Sequence, residues 1–250
     1  MNIVVNDLLV NYRLTGTGKL VVLLHGWGDS LKGLSALHDA LSEHYQVVAL
    51  DLPGFGATQP PATVWDLDNY AGFVRDFLAK LDLPAPYALV GHSNGGALAV
   101  RAISTGCVEP SKLVLVAASG VRDTDKGRRL MLKAIAKTGN VATIWLPERH
   151  RQKLRKQLYG VAGSDLMVVE HLKETFKKTV RQDVQKDAAQ LKLPTLLVYA
   201  ADDKAVPLAY GQKFHSLIDG SKMTIIKDAE HFVHIDQPAQ VTAAIEEFLA

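Results

Sequence analysis

Residues 87–104 read YALVGHSNGGALAVRAIS, in which an apolar run, a glycine-rich turn and a second apolar run follow one another. The pattern predicts a buried strand over Tyr87–Gly91, a sharp turn, and a helix over Ala97–Ser104. The turn has the form G-x-S-x-G. Because a serine at such a bend takes a strained backbone conformation, the residues two before and two after it must lack side chains. The bend lifts the Ser93 hydroxyl out of the sheet and points the free N–H groups of the helix N-terminus at it. We therefore predict that Ser93 is a nucleophile.

Strands and helices alternate on both sides of this unit. The apolar runs are continuous rather than alternating, as in strands that are buried on both faces. The alternation predicts an α/β fold, a doubly wound, mostly parallel sheet of eight strands that begins with an antiparallel hairpin. The other predicted strands are the hairpin Ile3–Val5 and Leu8–Leu14, then Leu20–His25, Gln46–Leu50, Lys112–Ala117, Pro194–Ala200 and Met223–Lys227, and helices are predicted over Asp66–Leu81 and Pro238–Leu249.

The alternation of strands and helices stops between residues 121 and 191. This stretch has no strand signal but carries helical patterns, among them apolar residues at spacings of three and four. These are Val169, Leu172, Phe176, Val180, Val184, Ala188 and Leu191. We predict that 121–191 is an all-helical insertion with apolar faces of its own, placed within a core formed by 1–120 and 192–250.

A nucleophilic serine needs a base, and the base needs an acid that orients it. In a doubly wound sheet, functional groups follow the carboxyl ends of strands. His231 follows one predicted strand, and we prefer it to His234, three residues on. Asp203 follows the preceding strand beside Asp202, either of which can cap the next helix. Of the other histidines, His92 is predicted to pack beneath the turn, and the surface is predicted for His38, His44, His150, His171 and His215.

The turn after Leu20–His25 reads His25-Gly26-Trp27-Gly28. Two glycines let the backbone bend so that the Trp27 N–H faces the serine. We predict an oxyanion hole formed by the backbone N–H groups of Trp27 and Asn94. The alternative is that Trp27 is a core aromatic residue, and its backbone N–H could still serve the oxyanion hole in that case.

Taken together, these motifs resemble those of the α/β-hydrolase superfamily, in its esterase-type branch with one helical cap after strand six. The resemblance covers nearly the whole chain outside the insertion. It is carried by His-Gly-x-Gly at 25–28, Asp51-Leu52-Pro53-Gly54-Phe55-Gly56, the turn at 91–96, Asp203-x-x-Val206-Pro207 and Glu230-His231-Phe232. It implies Ser93 as nucleophile, Asp203 as acid and His231 as base. It also implies that the insertion 121–191 is a helical cap that acts as the lid, and that Asp51 has a structural role. The sequence departs from the family pattern at two sites: Ala57-Thr58 stands where a serine is common, and Asn94 stands where Met or Leu is usual.

Composition and motifs exclude several classes of protein. With 48% hydrophobic and 22% charged residues the chain is neither disordered nor fibrous. Its single cysteine, Cys107, excludes an internal disulfide and a multi-cysteine zinc site. A net charge of +2 predicts no nucleic-acid partner, and no apolar run approaches the roughly 20 residues of a membrane span. We expect no metal and no cofactor, a cytoplasmic location, and a monomer or weak homodimer.

The function predicted is that of a serine hydrolase, a carboxylesterase that cleaves a small-molecule ester through an acyl-enzyme on Ser93. Because fold and triad do not fix the substrate, other serine-triad reactions are the alternative: carbon–carbon bond hydrolysis, amide or peptide cleavage, peracid formation or a lyase step. A ligand receptor with a slow or vestigial triad is an alternative of another class. Substrate contacts are predicted for Val206, Phe232, Met131 and Trp145.

The net charge of +2 conceals a strong segregation. Residues 121–191 hold 16 Lys or Arg and 8 Asp or Glu, a net of +8, whereas the remainder holds 12 and 18, a net of −6. Solvated helix faces and attraction between cap and core account for this in the simplest way. The alternative is that the basic cap attracts an anionic substrate.

Overall fold

The computed structural model describes residues 1–122 and 170–250. Its centre is an eight-stranded sheet in the order β1-β2-β4-β3-β5-β6-β7-β8. The first two strands pair antiparallel, β2 pairs antiparallel with β4, and the rest are parallel. The strands are β1 Asn2–Val5, β2 Leu8–Thr15, β3 Leu20–Leu24, β4 Gln46–Leu50, β5 Ala88–His92, β6 Lys112–Val116, β7 Thr195–Ala200 and β8 Lys222–Ile226.

Helices cover both faces of the sheet. They are α1 Ser35–Leu41, α2 Leu67–Lys80, α3 Asn94–Ser104, α4 Glu170–Thr179, α5 Gln185–Ala188, α6 Leu208–Leu217, α7 Val233–Asp236 and α8 Pro238–Leu249. Apolar residues of α2, α3 and α6 pack on one face and those of α1 and α8 on the other. Every residue of β3, β5 and β7 is buried, which explains their continuous apolar sequences. The predicted fold class is confirmed, including the antiparallel hairpin.

Three local predictions need correction. The helix after the serine turn begins at Asn94 rather than Ala97, directly behind the serine. Of the apolar stripe predicted over 169–191, the helix α4 holds Leu172 and Phe176 and the short α5 holds Ala188. The remaining described members, Val180, Val184 and Leu191, lie outside both helices, and Val169 lies outside the described residues. His38 is 1% exposed rather than on the surface, because its helix turns that side towards the sheet. His44 and His215 are exposed as predicted.

Some predictions fall on residues outside the described ranges. Met131 and Trp145, as candidate substrate contacts, and His150 are among them, as is most of the predicted cap. The side chain of His171 also lies outside the described part. None of the helices within the described ranges combines the length and apolar character that a membrane span requires.

Candidate active site

The turn between β5 and α3 holds Ser93 in a left-handed conformation, with φ 52° and ψ −118°. Its glycines are required by close backbone contacts. A Cβ on Gly91 would overlap the carbonyl oxygen of Gly95, and a Cβ on Gly95 would overlap that of Leu24 in β3. Only glycine fits at positions 91 and 95, and these two glycines allow the strained backbone conformation of Ser93. The turn projects the Ser93 side chain towards the loops that follow β7 and β8.

The loops after β7 and β8 bring an aspartate and a histidine to this serine. His231 Nε2 lies 3.0 Å from Ser93 Oγ, and His231 Nδ1 lies 2.8 Å from Asp203 Oδ2. The other carboxylate oxygen of Asp203 accepts the N–H groups of Ala205 and Val206, each at 2.8 Å. Because the carboxylate accepts from Nδ1–H, Nε2 is left unprotonated and faces the serine hydroxyl. This arrangement can remove a proton from Ser93.

The two competing candidates lie away from the serine. Asp202 is exposed beside the buried Asp203. His234 is the second residue of the adjacent short helix α7 and packs against His92, with ring centroids 4.5 Å apart. Its burial, followed by the charge of His231, lowers the pKa of His234 to about 4, so that it stays neutral near pH 7.

His92 packs beneath the turn and contacts the loop of the base. It is 2% exposed, and its Nε2–H donates to the carbonyl oxygen of His231 at 3.0 Å. Since only Nε2 carries a proton, the lone pair of Nδ1 points away from that bond. Burial lowers the pKa of His92 well below its usual range. His92 thus fixes the main chain that carries the candidate base.

Two further residues hold the loop that follows β3. His25 is fully buried, donating from Nδ1 to the carbonyl oxygen of Gly26 at 2.8 Å and accepting the Leu52 N–H at Nε2 at 2.9 Å. Burial lowers its pKa, against a smaller opposing effect of Asp29. Asp51 accepts the Leu31 N–H, the Ala57 N–H and the side-chain amide of Asn11, each at 2.8 Å. The contacts of Asp51 tie three segments together, which fits the structural role that the resemblance implies.

The candidate oxyanion donors are the N–H of Asn94, which follows Ser93, and that of Trp27, which follows Gly26 in the turn against the Ser93 side chain. Asn94 is the first residue of α3, so its N–H has no partner within the helix. Among the hydrogen bonds of the described residues, the N–H groups of Trp27 and Asn94 have no acceptor. The Trp27 side chain packs against Phe55 and Phe176, with ring centroids at 4.8 and 5.1 Å. Side-chain packing and a backbone role for Trp27 are thus compatible.

The two described candidates for substrate contact differ in exposure. Val206 is 2% exposed and donates its N–H to Asp203, so its visible role is to position the acid. Phe232 is 39% exposed, and its ring lies 5.5 Å from that of His231, at the rim of the site. Substrate contact therefore suits Phe232 better than Val206.

Sequence reasoning gave no role to Asp29, which lies in the loop after β3. It is 6% exposed, and burial raises its pKa. Its candidate metal-ligating atom lies close to those of His92 and His234. The Gly26-Trp27-Gly28-Asp29 sequence contains no signal for this contact, since both histidines come from other segments.

A family model described as alpha/beta hydrolase family matches residues 21–245 of this chain. Two relatives of similar length have assigned activities. A 2-hydroxy-6-oxo-6-(2'-aminophenyl)hexa-2,4-dienoic acid hydrolase of Metapseudomonas resinovorans is 26% identical, over 96% of this chain and 87% of its own. A pimeloyl-[acyl-carrier protein] methyl ester esterase of Aliivibrio fischeri (strain MJ11) is 25% identical, over 95% of this chain and 96% of its own.

Among solved structures, the enol-lactonase of Burkholderia xenovorans LB400 is similar to this chain with a TM-score of 0.81. The match covers 100% of this chain and 99% of the enol-lactonase, at 20% identity. At that identity the likeness supports the fold alone.

Proposed function

The chain belongs to the alpha/beta hydrolase family, and from this premise we propose that it cleaves a small carboxylic ester through an acyl-enzyme on Ser93. The observation that carries the proposal is the hydrogen-bonded series from Ser93 to His231 to Asp203, at 3.0 and 2.8 Å. Hydrolase relatives over almost the whole chain support the reaction class. The ester as substrate rests on the esterase relative together with the serine site.

In the proposed mechanism, Ser93 Oγ attacks the ester carbonyl as its proton passes to His231 Nε2. Asp203 holds the imidazole in the required tautomer and stabilises the cation that forms. His231 then returns the proton to the leaving alkoxide, and the acyl group stays on Ser93. A water molecule gives a proton to His231, attacks the acyl carbon and releases the acid, and the proton goes back to Ser93 Oγ.

The tetrahedral intermediates place a negative charge on the former carbonyl oxygen. We assign the N–H groups of Trp27 and Asn94 to that oxygen, because both are free of other described acceptors, Asn94 follows Ser93, and Gly26 beside Trp27 lies against the Ser93 side chain. Each such donor is typically worth about 3 kcal/mol. The Asn94 N–H also benefits from the positive end of the α3 dipole.

The experiment is hydrolysis of a series of p-nitrophenyl esters of increasing acyl length by the purified chain. Wild type should turn over at least one ester, and Ser93→Ala should lower kcat by about 10⁴-fold or more. Ser216→Ala is the matched control, because Ser216 is exposed on α6 and bonds only to its own helix. Turnover by Ser93→Ala equal to that of wild type would exclude Ser93 as the nucleophile.

Carbon–carbon bond hydrolysis of an oxo-dienoic acid is the second candidate, because the Metapseudomonas relative is a dienoic acid hydrolase. The same serine site would serve that reaction. Assaying a vinylogous keto acid beside the esters distinguishes the two, since the preferred substrate has the higher kcat/KM.

We also propose that residues 121–191 form the cap over this site. The described end of the segment supports this. Phe176 of α4 packs on Trp27, Leu172 packs on Gly54, and the Thr175 hydroxyl oxygen accepts the Trp65 N–H at 3.1 Å. The helix α4 therefore lies over the loops that carry a candidate oxyanion donor.

The net charge of +8 on 121–191 supports an anionic substrate for the same site. If the cap attracts the anion, kcat/KM for a carboxylate-bearing ester should fall steeply with added salt, whereas that for a neutral ester of equal length stays level. An equal salt dependence of the two esters would contradict the proposal.

A further inference from the structure

Three buried polar side chains from separate segments converge behind the candidate base. They are Asp29 in the loop after β3, His92 at the end of β5 and His234 in α7. Each is more than nine-tenths buried. One potential ligand atom from each lies within 4.8 Å of the others. The fold thus brings two imidazoles and a carboxylate to one point that the proposed mechanism does not use.

The atoms that converge there lack well-formed hydrogen bonds. Asp29 Oδ2, His92 Nδ1 and both ring nitrogens of His234 are buried and have no partner at full hydrogen-bond geometry among the described residues, although the main chain of Gly33 lies near enough to His234 to act on its pKa. Buried polar atoms are almost always satisfied, and an unmatched group typically costs about 1–3 kcal/mol. One unmatched atom from each of the three side chains lies in this cluster, which indicates a ligand that binds Asp29, His92 and one ring nitrogen of His234.

Local structure prepares two of these groups as ligands. His92 Nε2–H is fixed on the carbonyl oxygen of His231 at 3.0 Å, so the lone pair of Nδ1 faces the cluster. A histidine that binds a metal through one ring nitrogen usually donates the N–H of the other nitrogen to a carbonyl or carboxylate oxygen, which fixes the orientation of the ring. A Cβ on Gly33 would overlap the Asp29 carboxylate, so the glycine makes room for that group.

We propose that Asp29, His92 and His234 form a binding site for a divalent transition-metal ion, with Zn²⁺ as the best match. Two imidazoles and one carboxylate are a ligand set that Zn²⁺ accepts, with a fourth position left open. Three atoms no more than 4.8 Å apart share a point at most about 2.8 Å from each. Since Zn²⁺ ligands lie at about 2.0–2.1 Å, each atom moves inward by less than about 0.8 Å, which side-chain rotation provides.

The site is distinct from the serine site but shares a structural element with it. The His92 and His231 rings lie 5.0 Å apart, and His92 holds the main chain of His231. A bound ion would tie the loop after β3, the end of β5 and α7 together. Metal binding is therefore expected to raise the Tm of the protein.

The experiment uses the full chain after treatment with a chelator and its removal. Zn²⁺ is titrated in competition with a chromophoric chelator, and Co²⁺ is added separately to record visible absorption. One Zn²⁺ per chain is expected, with a raised Tm and the intense visible bands of low-coordinate Co²⁺. Wild type showing no binding by either ion at micromolar protein would overturn the proposal, whatever the variants do.

Variants locate the ion. Asp29→Asn and His234→Gln should each weaken Zn²⁺ binding by about tenfold or more while circular dichroism stays that of wild type. The controls are His231→Gln, which removes the candidate base, and His38→Gln, which removes a buried histidine elsewhere; both should bind as wild type does. Binding that survives Asp29→Asn and His234→Gln, or is lost in His231→Gln, would contradict the site.

Discussion

The substitution Asp203→Asn tests the candidate acid, because it replaces one carboxylate oxygen with an NH₂ group and leaves the shape of the side chain almost unchanged. Asp203 Oδ1 accepts the N–H groups of Ala205 and Val206, each at 2.8 Å, while Oδ2 faces His231 Nδ1 at 2.8 Å. In the variant, the amide oxygen must stay where two N–H groups point. The amide NH₂ is therefore forced towards His231, which must then present Nδ1 as an acceptor.

This rearrangement inverts the tautomer of the base. With Nδ1 unprotonated, the proton of His231 lies on Nε2, 3.0 Å from Ser93 Oγ, where it cannot take the serine proton. The loss expected is about 10⁴-fold in kcat, or about 5.5 kcal/mol, the size of effect known when this change is made in a serine protease. Stability should change little, because the two backbone bonds to Oδ1 persist.

The assay is kcat on the best p-nitrophenyl ester, with Tm measured on the same samples. Asp202→Asn is the matched control, since Asp202 is the exposed neighbour, and it should keep the activity of wild type within about twofold. If Asp203→Asn retained full activity, or if Asp202→Asn lost it instead, the assignment of the acid would be refuted.

Three further predictions concern the scaffold of the site. Gly95→Ala should lower the free energy of unfolding in urea by about 3 kcal/mol or more, because the new Cβ would overlap the Leu24 carbonyl oxygen. The control Gly72→Ala in α2 places its Cβ no closer than 3.9 Å to another side chain and should raise that free energy by about 0.5–1 kcal/mol. Asp51→Asn leaves one of three N–H donors unmatched and should cost about 3 kcal/mol, lowering Tm by about 6–12 °C, and an unchanged Tm would contradict the role of Asp51. Burial lowers the pKa of His25, so the unfolded state binds more protons below about pH 6.5, and His25 alone should contribute a loss of up to about 1.4 kcal/mol for each further pH unit, beside the like-signed contributions of His92 and His234. His25→Gln should show a shallower acid loss of Tm between pH 7 and 5, and parallel curves would show that His25 is not the cause.

The sheet and the serine turn were predictable because their signals are local. Each central strand is largely buried on both faces, so its five or six residues are mostly apolar whatever the order of strands, with polar residues such as Lys112 and His92 at the strand ends. The turn at Ser93 is fixed by short-range sterics, since Gly91 and Gly95 leave no room for a side chain. The rule that functional loops lie at the carboxyl ends of parallel strands led to the loops of Asp203 and His231, and the family resemblance favoured Asp203 over Asp202 beside it.

What the sequence did not reveal depends on contacts between distant segments. His38 has a polar side chain in a helical pattern, and only the packing of α1 on the sheet decides that it is buried. The cluster of Asp29, His92 and His234 comes from three separate segments, so no motif with a fixed spacing in the sequence predicts it. The break between α4 and α5 also depends on a distant segment. Val184 is buried there, and its N–H donates to the carbonyl oxygen of Gly120 instead of to a residue of α4.

The central claim is that Ser93 is an activated nucleophile, and covalent labelling tests it most directly. A fluorophosphonate should add one phosphonyl group per chain, located by tandem mass spectrometry in the tryptic peptide Leu81–Arg101, in which Ser93 is the only serine. The label should be absent in Ser93→Ala and much slower in His231→Gln. Labelling on another residue, or an unlabelled chain that still hydrolyses esters, would contradict the account.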